Sequence, residues 1–154
     1  MFFKNDKLEQ KAKELSDLGG KIISLQKDIS THRDILSLIF DTVPAMIFYK
    51  DKENRIVNIN EFGCQMFGVP KEDIIGHNWK ALLDDSGQAR KYFDNDLEVM
   101  RTGQPKKNIV EVLPGTDRTF LTHKMPMFDN GKVIGVLGFS TEITKPLKDC
   151  EDGR

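Results

Sequence analysis

The chain has 154 residues, a formal net charge of -1, 38% hydrophobic and 31% charged side chains. This balance gives no support for a nucleic-acid or general membrane-surface binder, either of which would be markedly basic, and the longest apolar runs are far too short to span a bilayer. Two cysteines, Cys64 and Cys150, make no disulfide framework, so a reducing compartment is expected: the cytoplasm, with a membrane-anchored receptor left open because a span could lie upstream.

Residues 5–40 read as a long helix, rich in Glu, Lys, Leu, Gln and Ala and free of proline before Pro44. Its apolar residues repeat every seven. Leu8, Leu15, Ile22, Ile29 and Leu36 share one heptad position, and Leu18, Leu25, His32 and Ile39 share the other. A surface helix on its own domain shows a wider stripe of period 3.6, whereas a narrow seam of period 3.5 suits a parallel two-stranded coiled coil. The predicted dimer seam is therefore Leu15, Leu18, Ile22, Leu25, Ile29, His32, Leu36 and Ile39. Asp28 and Arg33 fall where one weak interchain ion pair can form. Gly19-Gly20 lowers helix propensity by about 1 kcal/mol per residue without shifting the apolar phase. A frayed but continuous helix is favoured there over a pliable joint. His32 either specifies register, titrates, or marks where the seam loosens, and the last is preferred.

Pro44 stops the helix. Ala45–Lys50 and Arg55–Asn60 then read as a hairpin around a turn at 51–54. A short helix over Glu61–Phe67 ends at Gly68. Lys71–Ile75 follows Pro70, and a further short element surrounds Trp79. Asp84 or Ser86 can cap a longer helix running to about Arg101, with either Ala89, Phe93, Leu97 and Met100 or Tyr92, Asp96 and Val99 as its inner face. Three strands close the chain: Asn108–Leu113, Arg118–Phe128 and Lys132–Thr141. A tight turn at Asp129-Asn130-Gly131 separates the last two. Two hairpin regions separated by helices predict an α+β fold, one antiparallel sheet with helices gathered on one side. The other face of the sheet needs a cover, from the N-terminal helix or a second subunit.

Motifs of catalysis are missing from the sequence. The three histidines and two cysteines are scattered without zinc-ligand spacing. There is no phosphate-binding glycine loop and no nucleophile with a nearby histidine and acid at motif spacing. An apolar cavity between sheet and helices is plausible instead, given ten Phe and six Met. Its candidate walls are Ile47, Tyr49, Ile59, Phe62, Met66, Trp79, Tyr92, Phe93, Phe120, Met125 and Phe139. Tyr49, Asn60, His77, Thr122 and Ser140 are the candidate polar groups. His123 faces cavity or solvent according to register. A filled core stands as an equal alternative to a ligand pocket.

Several segments together resemble the PAS domain family of sensory modules over roughly Ile35–Thr144. They are NIN at 58–60, GVPKEDIIGHN at 68–78, RTG at 101–103 and DNGKVIGVLGFSTEIT at 129–144. The resemblance implies a five-stranded antiparallel sheet with flanking helices, divided as an N-terminal coiled-coil helix over 1–40, a PAS domain over 41–144 and an exit linker or tail over 145–154. It also implies signal coupling by Glu142 and Thr144 of the terminal Thr-Glu-Ile-Thr, with Arg55 or Lys50 as the cation that ties Glu142 to the start of the domain. A cysteine-adduct flavin is excluded, since Trp79 stands where the family's photosensors carry the reactive cysteine. Haem is disfavoured, since Tyr92 stands where the family's haem proteins place the axial histidine. A small organic ligand, or none, remains.

The function expected from this resemblance is a non-catalytic dimeric sensor or signal-transmission module. Its ligand-binding residues would be Tyr49, Asn60, Met66, His77, Trp79, Tyr92, Phe120, Thr122 and Ser140, with no metal and no nucleic-acid partner. Its output would be a domain in cis such as a histidine kinase, of which this chain would be a regulatory fragment. The alternative is a dimerisation or docking module with a filled core.

Overall fold

The computed structural model describes residues 2–83 and 87–144, with 2–5 described by their backbone alone. The chain divides into two compact units, Met1–Phe40 and Asp41–Arg154. Helix α1 spans Phe2–Thr42 without interruption at Gly19-Gly20. A Cβ at either glycine would meet nothing within the chain, and the helix runs through both. The seam residues Leu15, Leu18, Ile22, Leu25, Ile29, Leu36 and Ile39 are all exposed within the single chain. His32 Nδ1 lies 2.7 Å from the Asp28 carbonyl. A carbonyl only accepts, so the ring donates into its own helix. No helix among the described residues is long and apolar enough to cross a membrane.

The second unit holds five antiparallel strands in the order β2-β1-β5-β4-β3. Strand β1 is Met46–Asp51, β2 Ile56–Ile59, β3 Lys106–Val112, β4 Thr119–Asp129 and β5 Lys132–Glu142. Between β2 and β3 run α2 (Glu61–Phe67), α3 (Lys71–Ile74), α4 (Trp79–Leu82) and α5 (Gly87–Thr102). The β1–β2 turn is held by Asp51, whose Oδ1 accepts from the Glu53 and Arg55 amides. The β4–β5 turn uses Asn130 and Gly131, both at positive φ, as a two-residue hairpin of this twist requires. Asp84 and Ser86, proposed as caps of α5, lie outside the described residues, as do Cys150 and the 145–154 tail.

Asn60 fastens the entrance of the unit. Its Oδ1 accepts from the Gly63 amide, capping α2, and from the Ile47 amide, while its Nδ2 donates to the Ala45 carbonyl. One buried side chain thus joins the start of β1 to the first turn of α2. The core lies between the helices and one face of the sheet, where Met46, Phe48, Ile56, Ile59, Cys64, Ile74, Trp79 and Tyr92 form one buried cluster. Trp79 meets Phe48 edge-on at 5.9 Å and Phe67 at 4.7 Å. Gly138, paired with Phe48 across β5 and β1, leaves the room that ring fills.

Candidate functional site

Alternation along three strands decides what faces the helices. Strand β1 turns Met46, Phe48 and Lys50 inward, and β4 turns Phe120, Thr122 and Lys124 inward. Glu111 on β3, Leu113 just beyond it and Ser140 on β5 complete the same face. Met66, Phe67, Trp79 and Tyr92 close over it from the helices. The cavity has a free volume of ≈ 20 Å³, room for about one water molecule.

The cavity wall and the ground beside it carry charge. Lys50 and Lys124 are buried, and both ammonium groups converge on the buried Asp96 of α5. Lys50 Nζ donates to Asp96 Oδ2. Lys124 Nζ lies 2.8 Å from Asp96 Oδ1 and donates to the Tyr92 carbonyl at 3.0 Å. Glu111 Oε1 stands 3.8 Å from Lys124 Nζ, buried and without a hydrogen bond. Burial holds the Lys50 ammonium well below its ordinary range, at about 8, against the opposing pull of Asp96. Burial, and then the Glu111 charge, push the Tyr92 phenol up. That phenol donates to the Val112 carbonyl at 2.5 Å. Thr122 Oγ1 and Ser140 Oγ are hydrogen-bonded at 2.8 Å.

Of the sequence-derived ligand residues, the structure brings Met66, Trp79, Tyr92, Phe120, Thr122 and Ser140 together around this cavity. Three lie elsewhere. Tyr49 alternates to the other face of the sheet. Asn60 is taken up by the backbone at the domain entrance. The His77 side chain is exposed, and its carbonyl accepts from the Ile56 amide. Of the wider wall set, Ile47, Met125 and Phe139 also turn to the far face. There His123 stacks on Phe139 at 4.8 Å, which places His123 away from the cavity. The inner face of α5 is Ala89, Tyr92, Asp96 and Val99, and Leu97 is exposed.

Sequence reasoning misses Glu111 and Lys124, and it reads Lys50 only as a partner for Glu142 and Asp96 only as one possible inner-face position of α5. Period-two alternation carried the signal for Lys124: a strand that turns Phe120 and Thr122 inward must turn Lys124 inward as well.

At the far end of β5, Glu142 forms a two-bond fork with Arg118, at 3.0 and 2.8 Å. This corrects the expected pairing with Arg55 or Lys50, because Arg55 is bound to Asp51 and Lys50 to Asp96. Hydrogen bonding to Arg118 holds the Glu142 carboxyl below its ordinary range. Thr144 Oγ1 accepts from the Thr119 amide at 2.7 Å, next to the fork.

The family description "PAS fold" matches residues 40–146. The uncharacterized protein y4lL of Sinorhizobium fredii is 32% identical over 66 residues, which are 43% of this chain and 8% of that protein. Among solved structures, Vibrio cholerae VqmA, described as a dimer, aligns at TM-score 0.60 and 24% identity over 69% of this chain and 49% of its own. The PAS domain of Bordetella pertussis BvgS aligns at TM-score 0.61 and 23% identity over 75% of this chain and 88% of its own. The chain thus spans about half of VqmA and a small fraction of y4lL, and the structural likenesses are likenesses of fold.

Proposed function

The chain belongs to the PAS family, and from that premise we propose that it is a non-catalytic, dimeric sensor module that passes the state of its cavity to an output domain in cis, such as a histidine kinase. The observation that carries this reading is the course of β5. Ser140 lines the cavity, and two residues later, on the same face, Glu142 is forked to Arg118 at the exit of the domain. A guest that displaces Ser140 strains the fork two residues away on the same strand, because a close-packed interior has low compressibility and transmits strain. The exposed seam of α1 supports pairing with a second copy, since an apolar stripe of this length seldom stays open to water. VqmA is described as a dimer, which agrees. The net charge of -1 argues against a nucleic-acid contact by this chain.

Two measurements test the proposal. Native mass spectrometry of the purified chain should give a dimer that retains a small molecule absent from the denatured spectrum. Cysteines at Leu25 and Leu36 should crosslink between copies at different rates with and without that molecule. A monomer at micromolar concentration, or identical crosslinking in both states with a normal downstream response, would overturn it. The small volume of the cavity favours one second reading, a dimerisation or docking module with a filled core. A clean dimer whose cavity methyls respond to no guest would select it.

A further inference from the structure

Resting on the sensing reading, the unsatisfied polar atoms of the cavity specify what kind of molecule it takes. Lys124 is buried and lines the cavity, and its ammonium donates to the Tyr92 carbonyl and stands 2.8 Å from Asp96 Oδ1, which leaves one of its three protons to give. Glu111 Oε1 is buried beside it at 3.8 Å and accepts none. A donor and an acceptor thus sit side by side at the cavity wall. The surrounding charges balance: Lys50 and Lys124 against Asp96 and Glu111. A cationic or anionic guest would upset that balance among buried groups, where an uncompensated charge is costly. The remaining wall is apolar and aromatic, with Phe48, Trp79 and Phe120 on it.

We propose that the cavity takes a small uncharged molecule whose edge carries a hydrogen-bond acceptor next to a donor, as in an amide or lactam, the acceptor on Lys124 Nζ and the donor on Glu111 Oε1. The space of ≈ 20 Å³ must widen to admit it. Met46 and Met66 on the wall are the side chains suited to this, being unbranched and free to change rotamer.

The same two methionines report the test. The full chain, labelled at its methionine methyls, is titrated with 2-pyridone (the donor–acceptor edge), benzoate, benzylamine and toluene, and the Met46 and Met66 signals are followed by NMR. Saturable shifts are expected with 2-pyridone in preference to the other three. Glu111→Leu should weaken 2-pyridone at least about tenfold, the worth of a hydrogen bond to a charged group, and leave toluene unchanged. Glu111→Gln removes one negative charge at the same shape and should move the preference toward benzoate, which keeps the test open if the leucine variant does not fold. Preference of the wild type for benzoate, benzylamine or toluene would overturn the ligand class and leave the sensing cavity standing. Silence of both methyls toward all four would mean a filled core and overturn both.

Discussion

Asp96 neutralises two lysines at once, and its removal has a predictable cost. Asp96→Ala leaves Lys50 and Lys124 buried side by side with only Glu111, at 3.8 Å from Lys124, for compensation. Breaking a buried ion pair from one side costs about 3–5 kcal/mol, so urea denaturation should show a loss of that order, enough to unfold a marginal domain. Gly138 is a second sensitive position for a steric reason. A Cβ there would overlap the Phe48 ring, which is itself held edge-on by Trp79. Gly138→Ala should cost about 1–3 kcal/mol, the usual range for an overpacked core, measured by the same denaturation. The sequence places Asp96 on one of two possible inner faces of α5 without naming its partners, and a glycine in a strand reports close approach without naming what approaches.

Elements differ in how far their sequence betrays them. The helix α1, the hairpin turns and the succession of five strands along the chain follow from heptad spacing, capping residues and the Asn130-Gly131 dipeptide, all of which act locally, whereas the β1–β5 pairing at the centre of the sheet does not. The site is less legible, because it depends on which way each strand faces. Ile47 and Tyr49 are as apolar as Met46 and Phe48, and a shift of one residue exchanges the two sets. Only the pairing of β1 with β5 settles it. The partner of Glu142 is set in the same way, by β4 running beside β5 with Phe120 opposite Glu142, a contact 24 residues away in sequence. The Arg118–Glu142 fork is partly exposed, so its contribution to stability is expected to be under about 1 kcal/mol. Its weight lies in geometry. Arg118→Gln should leave the melting temperature within a few degrees while raising hydrogen exchange at the Ile143 amide, which donates to Thr119 beside the fork. In α1, Gly20→Ala should raise helicity by circular dichroism, by about 1 kcal/mol of helix propensity, since a methyl there meets nothing.

For the molecule as a whole, two buried groups shape the response to pH with opposite signs. Lys50 titrates at about 8 when folded against an ordinary 10.5. Across that interval the unfolded chain holds a proton that the folded chain has released, so stability rises with pH. Tyr92 is raised above its ordinary 10.0. From pH 10 upward the unfolded chain loses a proton that the folded chain keeps, so stability falls. Thermal melts should therefore pass through a maximum near pH 10, and Lys50→Met should abolish the rising limb alone. Salt separates the same parts of the molecule by another route. Lys50, Lys124 and Asp96 lie behind protein, beyond the reach of counter-ions, whereas Arg118–Glu142 and the 2.5 Å Lys106–Glu98 pair stand partly in solvent. At about 1 M sodium chloride the Debye length is about 3 Å. Ionic strength then loosens the fork at the exit of the domain while the buried charges around Asp96 keep their attraction, so a salt titration separates the fork from the cavity beside it without a mutation.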